Sequence, residues 1–406
     1  MRESSEFLIL GAGPAGLTLA NKLLEKGVFD FLVLEKEEAA GGLCRSVEVD
    51  GAPFDVGGGH FLDVRNQKVN DFLFQFMPEN EWNLYIRDSR IQLNNVMLSH
   101  PIEANIWQLE LGEQVEYLKS IALAGCNLGL PMPEEFVDWI YWKLGRKIAE
   151  EYMLPYNQKM FGAELNQLGT YWLAKLPNVS FEETLLSCLS HKAYGKQPGH
   201  AKFYYPREFG YGELWLRMAQ NLGQNIQYNK QVESIDFIDN VVRTSDGSKY
   251  CAKKIITTIP WMEFQETSGM PDEIRISIQA LKYSSIQTEY YPGRLDTQAH
   301  WIYYPSLRIP HHRILVRHNF CPNGNGYWTE TNGERIGMER VGNGFRYMNR
   351  YAYPLNTVGK PKIMNRLLRW SEKHNVYGLG RWGEHQHYNS DVTVELAINM
   401  CNGLVK

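Results

Sequence analysis

The glycines near the start of this chain carry its clearest chemical signature. Gly11-Ala12-Gly13-Pro14-Ala15-Gly16 follows the apolar run Phe7 to Leu10 and opens a stretch, Pro14 to Lys26, in which Leu17, Ala20, Leu23 and Leu24 recur at helical spacing. Gly11 permits a tight turn, Gly13 lets the backbone approach a pyrophosphate, and Gly16 allows helix and strand to pack closely. The start of the helix then offers free N–H groups and partial positive charge to the phosphates. Phe31 to Leu34 reads as the next buried strand and ends at Glu35-Lys36. A carboxylate at that place accepts hydrogen bonds from a ribose diol and disfavours a 2′-phosphate on it. Gly11, Gly13, Pro14, Ala15, Gly16, Glu35 and Lys36 are therefore expected to hold the adenosine half of a dinucleotide. The fingerprint alone does not separate NAD from FAD.

Two more glycine segments follow: Gly41-Gly42-Leu43-Cys44-Arg45-Ser46, and Asp55-Val56-Gly57-Gly58-Gly59-His60. Glycines such as Gly42, Gly58 and Gly59 let backbone come within contact of a planar ring, and Arg45 can neutralise phosphate charge. Farther on, Arg313, Arg317 and Arg381, in a chain with 23 Tyr and 11 Trp, would suit a doubly charged diphosphate carrying flat groups. The runs His311-His312 and His385-Gln386-His387 have no carboxylate or Cys at zinc spacing beside them, so no metal is expected. There is no GxSxG elbow, and the 6 cysteines are widely dispersed. They are expected to be reduced thiols, and the difficult chemistry is expected to belong to a bound cofactor.

The elements that must position these groups point to an α/β protein. At 406 residues the chain implies two or three domains. With 42 basic against 46 acidic residues it has no uniform positive field for nucleic acid. MRESSEFLIL places charge where a signal peptide needs an apolar run, and Ile121 to Met132 falls short of the about 20 residues a membrane span requires. A cytoplasmic protein without a span is expected, its oligomeric state left open. The first strand, helix and second strand form a βαβ-type start, and Asp50-Gly51 marks a hairpin between Val47 and Phe54. From about 66 to 197 the pattern is helical with no convincing strand, including helices over Glu134 to Glu151 and Leu168 to Leu189. Residues 225 to 258 alternate as strands, and a last helix covers Val392 to Leu404. The reading is a discontinuous dinucleotide domain (1–65, 200–265 and 375–406), a mainly helical cap (66–199) and a β-sheet substrate region (266–374).

The paired glycine segments resemble those of the flavoprotein group that includes amine oxidases, protoporphyrinogen oxidase and UDP-galactopyranose mutase. This implies a GR2-type Rossmann-like FAD domain in which Gly42, Leu43 and Arg45 meet the FAD, Gly58 to His60 pass beside the flavin, and Val232 lies on the adenine-gripping strand. Asp391 looks like the position that sets a helix N-terminus at the flavin. Later segments resemble the eukaryotic-type UDP-galactopyranose mutases in order: Pro155-Tyr156-Asn157, Tyr205-Pro206-Arg207, Tyr304-Pro305 through Arg313, Tyr353-Pro354, and Gly380-Arg381-Trp382-Gly383. There are departures. Leu154 stands where the family has an Arg, the Tyr after GRFG is shifted to His387 or Tyr388, and Ile91 to Pro101 does not match the uracil-contacting region.

The resemblance implies a pyranose–furanose mutase acting on a nucleotide-diphosphate sugar in surface glycan biosynthesis. Flavin reduced by NADPH or NADH would attack the anomeric carbon through N5. Arg313 and Arg381 would hold the departing diphosphate, His60 would orient its loop at the flavin, and Tyr353 and Asn157 would position phosphate and sugar hydroxyls. Two rivals stand beside it: a flavin oxidase or dehydrogenase of the same group, and a flavin-binding protein without catalysis. The sugar and the nucleotide are left open.

Overall fold

A computed structural model describes residues 2–173, 176–195, 201–321, 323–337 and 344–405. Strand β1 (Arg2–Leu10), helix α1 (Pro14–Glu25) and strand β2 (Phe31–Leu34) form the expected start. β1 pairs in parallel with β2 on one side and with Lys249–Thr257 on the other, and Ile226–Gln227 and Val376–Gly378 add further parallel strands. The run FLIL is apolar throughout because both faces of this sheet are covered. Phe7 and Ile9 pack in one core with Leu17 and Leu19 of α1, whereas Leu8 and Leu10 pack in another with Ile274, Met364 and Leu367. The terminal helix, Ser390–Leu404, packs against α1.

The returning segment behaves as its alternation implies. Val232–Asp236, Val241–Thr244 and Lys249–Thr257 are antiparallel neighbours, and Glu266–Ser268 closes that edge. Ser46–Val49 and Ala52–Asp55 form the hairpin, with Asp50 and Gly51 at φ +54° and +69°. Two positive φ values in sequence are the signature of a type I′ turn, whose twist matches that of the strands.

The second sheet departs from expectation. Its order is Arg346–Pro354, Tyr283–Tyr291, Tyr327–Asn332, Arg313–Leu315, Trp301–Tyr303, Ser89–Leu93, Val96–Ser99. The last two strands come from the stretch read as free of strands, and Trp82–Ile86, from the same stretch, pairs with Lys202–Pro206. SRIQL alternates in burial and turns at Asn94, φ +51°. The hairpin signal was thus present, and it joins a sheet whose other strands lie some two hundred residues away. The expected helix over Leu168 to Leu189 is shorter, Phe181–Ser190. It starts where it does because Ser180 and Glu183 form a reciprocal capping box. Lys360–Glu372 is a further helix, inside the region read as sheet. No helix among the described residues is long and apolar enough to cross a membrane.

Candidate functional site

A cleft with about 1400 Å³ of empty space, its mouth included, runs along the carboxyl ends of β1 and β2. Gly11, Gly13, Pro14 and Ala15 line it at one end, with Glu35 and Lys36 beside them. Gly42, Leu43 and Arg45 form a wall, Val232 another, and His60 and Arg381 the far end. The three glycines of the fingerprint differ in what they do. Gly11 has φ +101°, as the tight turn requires, and a methyl group on Gly16 would stand 2.0 Å from the Gly11 carbonyl oxygen. Gly13 is the exception: a methyl there would meet nothing nearer than Gly42 Cα at 3.9 Å, so the space it keeps open belongs to the cleft.

Glu35 is buried and oriented by backbone: Oε2 accepts from Ala12 N–H at 2.8 Å and Oε1 from Glu37 N–H at 3.0 Å. Burial pushes its carboxyl above the ordinary range. Each oxygen keeps a second lone pair for a ligand hydroxyl. Arg45 is held by Tyr347 Oη at 2.5 Å and lies 3.4 Å from Glu37. Cys44 also faces the cleft, with its thiol pushed up to about 12 by burial.

The triple-glycine loop is packed from behind. Methyl groups on Gly57, Gly58 and Gly59 would stand 1.9 Å from the Leu43 carbonyl oxygen, 2.5 Å from Glu330 Oε1 and 2.1 Å from Leu315 Cδ2. The glycines are therefore required by protein atoms, and Gly58 and Gly59 do not line the cleft; His60 does. His60 Nδ1 lies 3.1 Å from the Gly58 carbonyl oxygen, which can only accept, so the proton sits on Nδ1 and Nε2 is left as an acceptor. Burial, and then the Arg381 charge, lower its pKa to about 4. The ring is neutral at neutral pH.

The two candidate clamps are in different electrostatic states. Arg381 lines the cleft and donates to the Tyr388 carbonyl oxygen at 2.7 and 3.0 Å and to that of Ala352 at 3.1 Å. No ion pair with a carboxylate of the described residues is formed, and burial lowers its pKa. Arg313 lies outside the cleft and is bound to Glu330 Oε2 through Nε at 3.1 Å and Nη2 at 2.5 Å. Tyr353 stands between them, its ring centroid 5.9 Å from the Arg381 guanidinium and its phenol raised in pKa by burial. Asn157 is turned back on its own helix, donating to the Met153 carbonyl oxygen at 2.7 Å, whereas its neighbour Tyr156 packs at 5.4 Å from Tyr303 and 6.0 Å from His312. Asp391 does not precede the last helix but sits in its first turn, against Arg65 to Lys68; Ser390 and Thr393 of that helix reach the cleft instead. Sequence reasoning missed Tyr347 to Tyr351, which line the cleft from an edge strand of the second sheet. No local motif marks them, and only the Tyr and Arg content of that strand hinted at a role.

A Rossmann-type domain whose nucleotide cleft is closed by a second, largely antiparallel sheet is the class defined by this geometry, and the model of the NAD(P)-binding Rossmann-like domain matches residues 9–76. Along its whole length the chain is similar to the UDP-galactopyranose mutase of Mycoplasma pneumoniae, 24% identical over 419 aligned residues that cover 99% of this chain and 96% of that protein. A crystal structure of reduced UDP-galactopyranose mutase superposes with a TM-score of 0.90 at 20% identity, over 99% of this chain and 94% of that one. A putative protoporphyrinogen oxidase from Exiguobacterium sp. 255-15 superposes less closely, with a TM-score of 0.71 at 14% identity over 100% and 99%. Over nearly its whole length the chain is thus mutase-like: it is similar in sequence to one UDP-galactopyranose mutase and in fold to another. The bacterial source of this relative gives the eukaryotic-type branch no support.

Proposed function

We propose that the chain is an FAD-dependent mutase that interconverts the pyranose and furanose forms of a sugar carried on a nucleoside diphosphate, as a step towards surface glycans. The observation that carries the reading is Arg381, a half-buried cation lining the cleft whose three hydrogen bonds all go to neutral carbonyl oxygens. Such a charge is stabilised when an anion arrives.

The residues present fit FAD. The open side of Gly13 and the start of α1 would take the pyrophosphate, Glu35 the ribose, and Val232 the adenine side. The N-terminus of helix Ser390–Leu404 would face the ring, where its partial positive charge favours an anionic form. When bound and reduced by NADPH or NADH, FAD would supply a nucleophilic N5 for chemistry at the anomeric carbon without net redox change. Arg381 would bind the diphosphate, holding its developing charge more strongly than the ground state. Neutral His60 offers Nε2 as an acceptor towards the cleft, and Tyr353 spans the distance from Arg381 to Arg313. Asn157 is proposed to act on sugar hydroxyls after leaving Met153.

The test begins with the purified protein, which should be yellow and bleach with NADPH or NADH. Supplied with UDP-galactopyranose and catalytic reductant, it should yield the furanose isomer without oxygen uptake. Peroxide formed in proportion to an oxidised product, with no isomer, would instead establish the oxidase reading. A colourless protein that refuses FAD would end both.

A further inference from the structure

We propose that Glu330 is a positioning residue that couples an anion bound at Arg313 to the backbone of the His60 loop, an inference that rests on the nucleotide-sugar reading above. Glu330 lies in the strand Tyr327–Asn332 with 1% of its side chain accessible, and its two oxygens serve different parts of the molecule. Oε2 accepts from Arg313 Nε at 3.1 Å and Nη2 at 2.5 Å, and His312 Nε2 lies 3.5 Å from the same oxygen. Oε1 accepts from the Gly59 N–H at 3.1 Å. The carbonyl of the preceding residue, Gly58, is the one that accepts the hydrogen bond from His60 Nδ1–H, and His60 faces the cleft. Direct contacts thus run from Arg313 through one carboxylate to the loop at the cofactor cleft.

The accessibility of the pair sets the direction of the effect. A fifth of the Arg313 side chain is open, at 20%, which leaves a path for an anion to approach it. Glu330 cannot follow it towards water. Two anions sharing one cation compete for it, so the ligand weakens the Arg313–Glu330 contact. A buried carboxylate that loses part of its cation leans harder on the donors that remain. The donor that remains is the Gly59 N–H. Filling the site at Arg313 therefore tightens the hold on the loop. Gly58 and Gly59 have no side chains to keep them in place otherwise, and a methyl on Gly58 would collide with this same carboxylate at 2.5 Å.

The experiment uses FAD-loaded full-length protein and UDP as the probe, with hydrogen exchange read on the peptide that contains Gly58 to His60. Saturating UDP is expected to slow exchange at that peptide in the wild type. In Glu330→Gln the competing charge is gone, so UDP should bind tighter by about tenfold while the change in loop exchange disappears. A purely structural Glu330 would leave UDP affinity where it was. Should Glu330→Gln fail to fold, the wild-type exchange measurement decides alone. UDP bound at saturation with an unchanged loop would overturn the coupling and leave the nucleotide-sugar reading standing, whereas a holoprotein that does not bind UDP at all would overturn both.

Discussion

Arg381 and Arg313 are both half-buried, yet only Arg313 is answered by a carboxylate. Their truncations should therefore differ in kind. Arg381→Ala removes a charge that no carboxylate balances but also the donor to the Tyr388 and Ala352 carbonyl oxygens, so apo stability is expected to fall by about 1–3 kcal/mol, while transition-state stabilisation falls by about 2–5 kcal/mol. Arg313→Ala leaves Glu330, 1% accessible, as an orphaned buried anion, and should cost about 3–5 kcal/mol of stability. Urea midpoints set beside kcat/KM for the two variants check both halves. His60 adds a pH dependence whose sign is fixed by its lowered pKa. Between its ordinary 6.5 and about 4 the unfolded chain binds the proton that the native ring refuses, so stability from this group is full above 6.5 and is lost as pH falls towards 4. Asp55, raised to about 7 by burial, works in the opposite sense over the same window. The contribution of His60 is thus read as a difference: His60→Gln should lose less stability than wild type between pH 7 and pH 4.5, by on the order of 2–3 kcal/mol. The arginines were legible in the sequence as charges, but their partners were not. Glu330 faces Arg313 through strand register, a relation that no spacing along the chain reveals.

The elements that carry the cleft fold from local signals, and these were the parts read correctly: the βαβ start, the Asp50-Gly51 hairpin and the terminal helix. Ser89–Leu93 and Val96–Ser99 were lost among helices because their sheet neighbour, Trp301–Tyr303, is supplied from far along the chain. The role of the glycines was only half legible. Sequence suggested that Gly57 to Gly59 make room for a ring, whereas protein atoms already occupy the space beside each of them. Gly13 and Gly16 make this distinction measurable. Gly13 has φ −80° and ψ −176°, which alanine adopts freely, and nothing within 3.9 Å of the new methyl. Gly13→Ala should keep the thermal midpoint of the apo protein and lose FAD, because the methyl obstructs only the ligand. Gly16→Ala would drive a methyl to 2.0 Å from a backbone oxygen and should lower apo stability by about 1–3 kcal/mol as well. Equal FAD content in Gly13→Ala and wild type would remove the pyrophosphate from that end of the cleft.

At the scale of the whole molecule, the second sheet meets the hairpin and the start of the glycine loop across a buried polar seam, and the cleft's geometry depends on it. The Val56 carbonyl oxygen, just before the glycine loop, accepts from Asn349 Nδ2 at 2.6 Å and Thr288 Oγ1 at 3.0 Å, both from the second sheet. Arg317, fully buried, clasps the hairpin that leads into that loop. Its Nη1 donates to the carbonyl oxygens of Val49, Ala52 and Pro53 at 2.8, 3.1 and 3.3 Å, and its Nε to that of Asn325 at 2.6 Å. The guanidinium also lies 4.6 Å from the Tyr290 ring centroid, and the Tyr290 hydroxyl donates to Asp50 Oδ2 at 2.6 Å, so the hairpin turn is tied from the same side. An apolar seam would tolerate sliding, because burial of apolar area has no direction, whereas each of these bonds fixes a partner and an angle. Arg317→Met keeps most of the volume but leaves hairpin carbonyls buried without donors, and should cost about 3–5 kcal/mol. The loss should also be spatially selective: hydrogen exchange should rise first over residues 46–60, which need the clasp, while β1 and Lys249–Thr257 stay protected by their own parallel ladder. Uniform acceleration across both sheets would mean that Arg317 supports the fold as a whole and that the hairpin is held by its own turn.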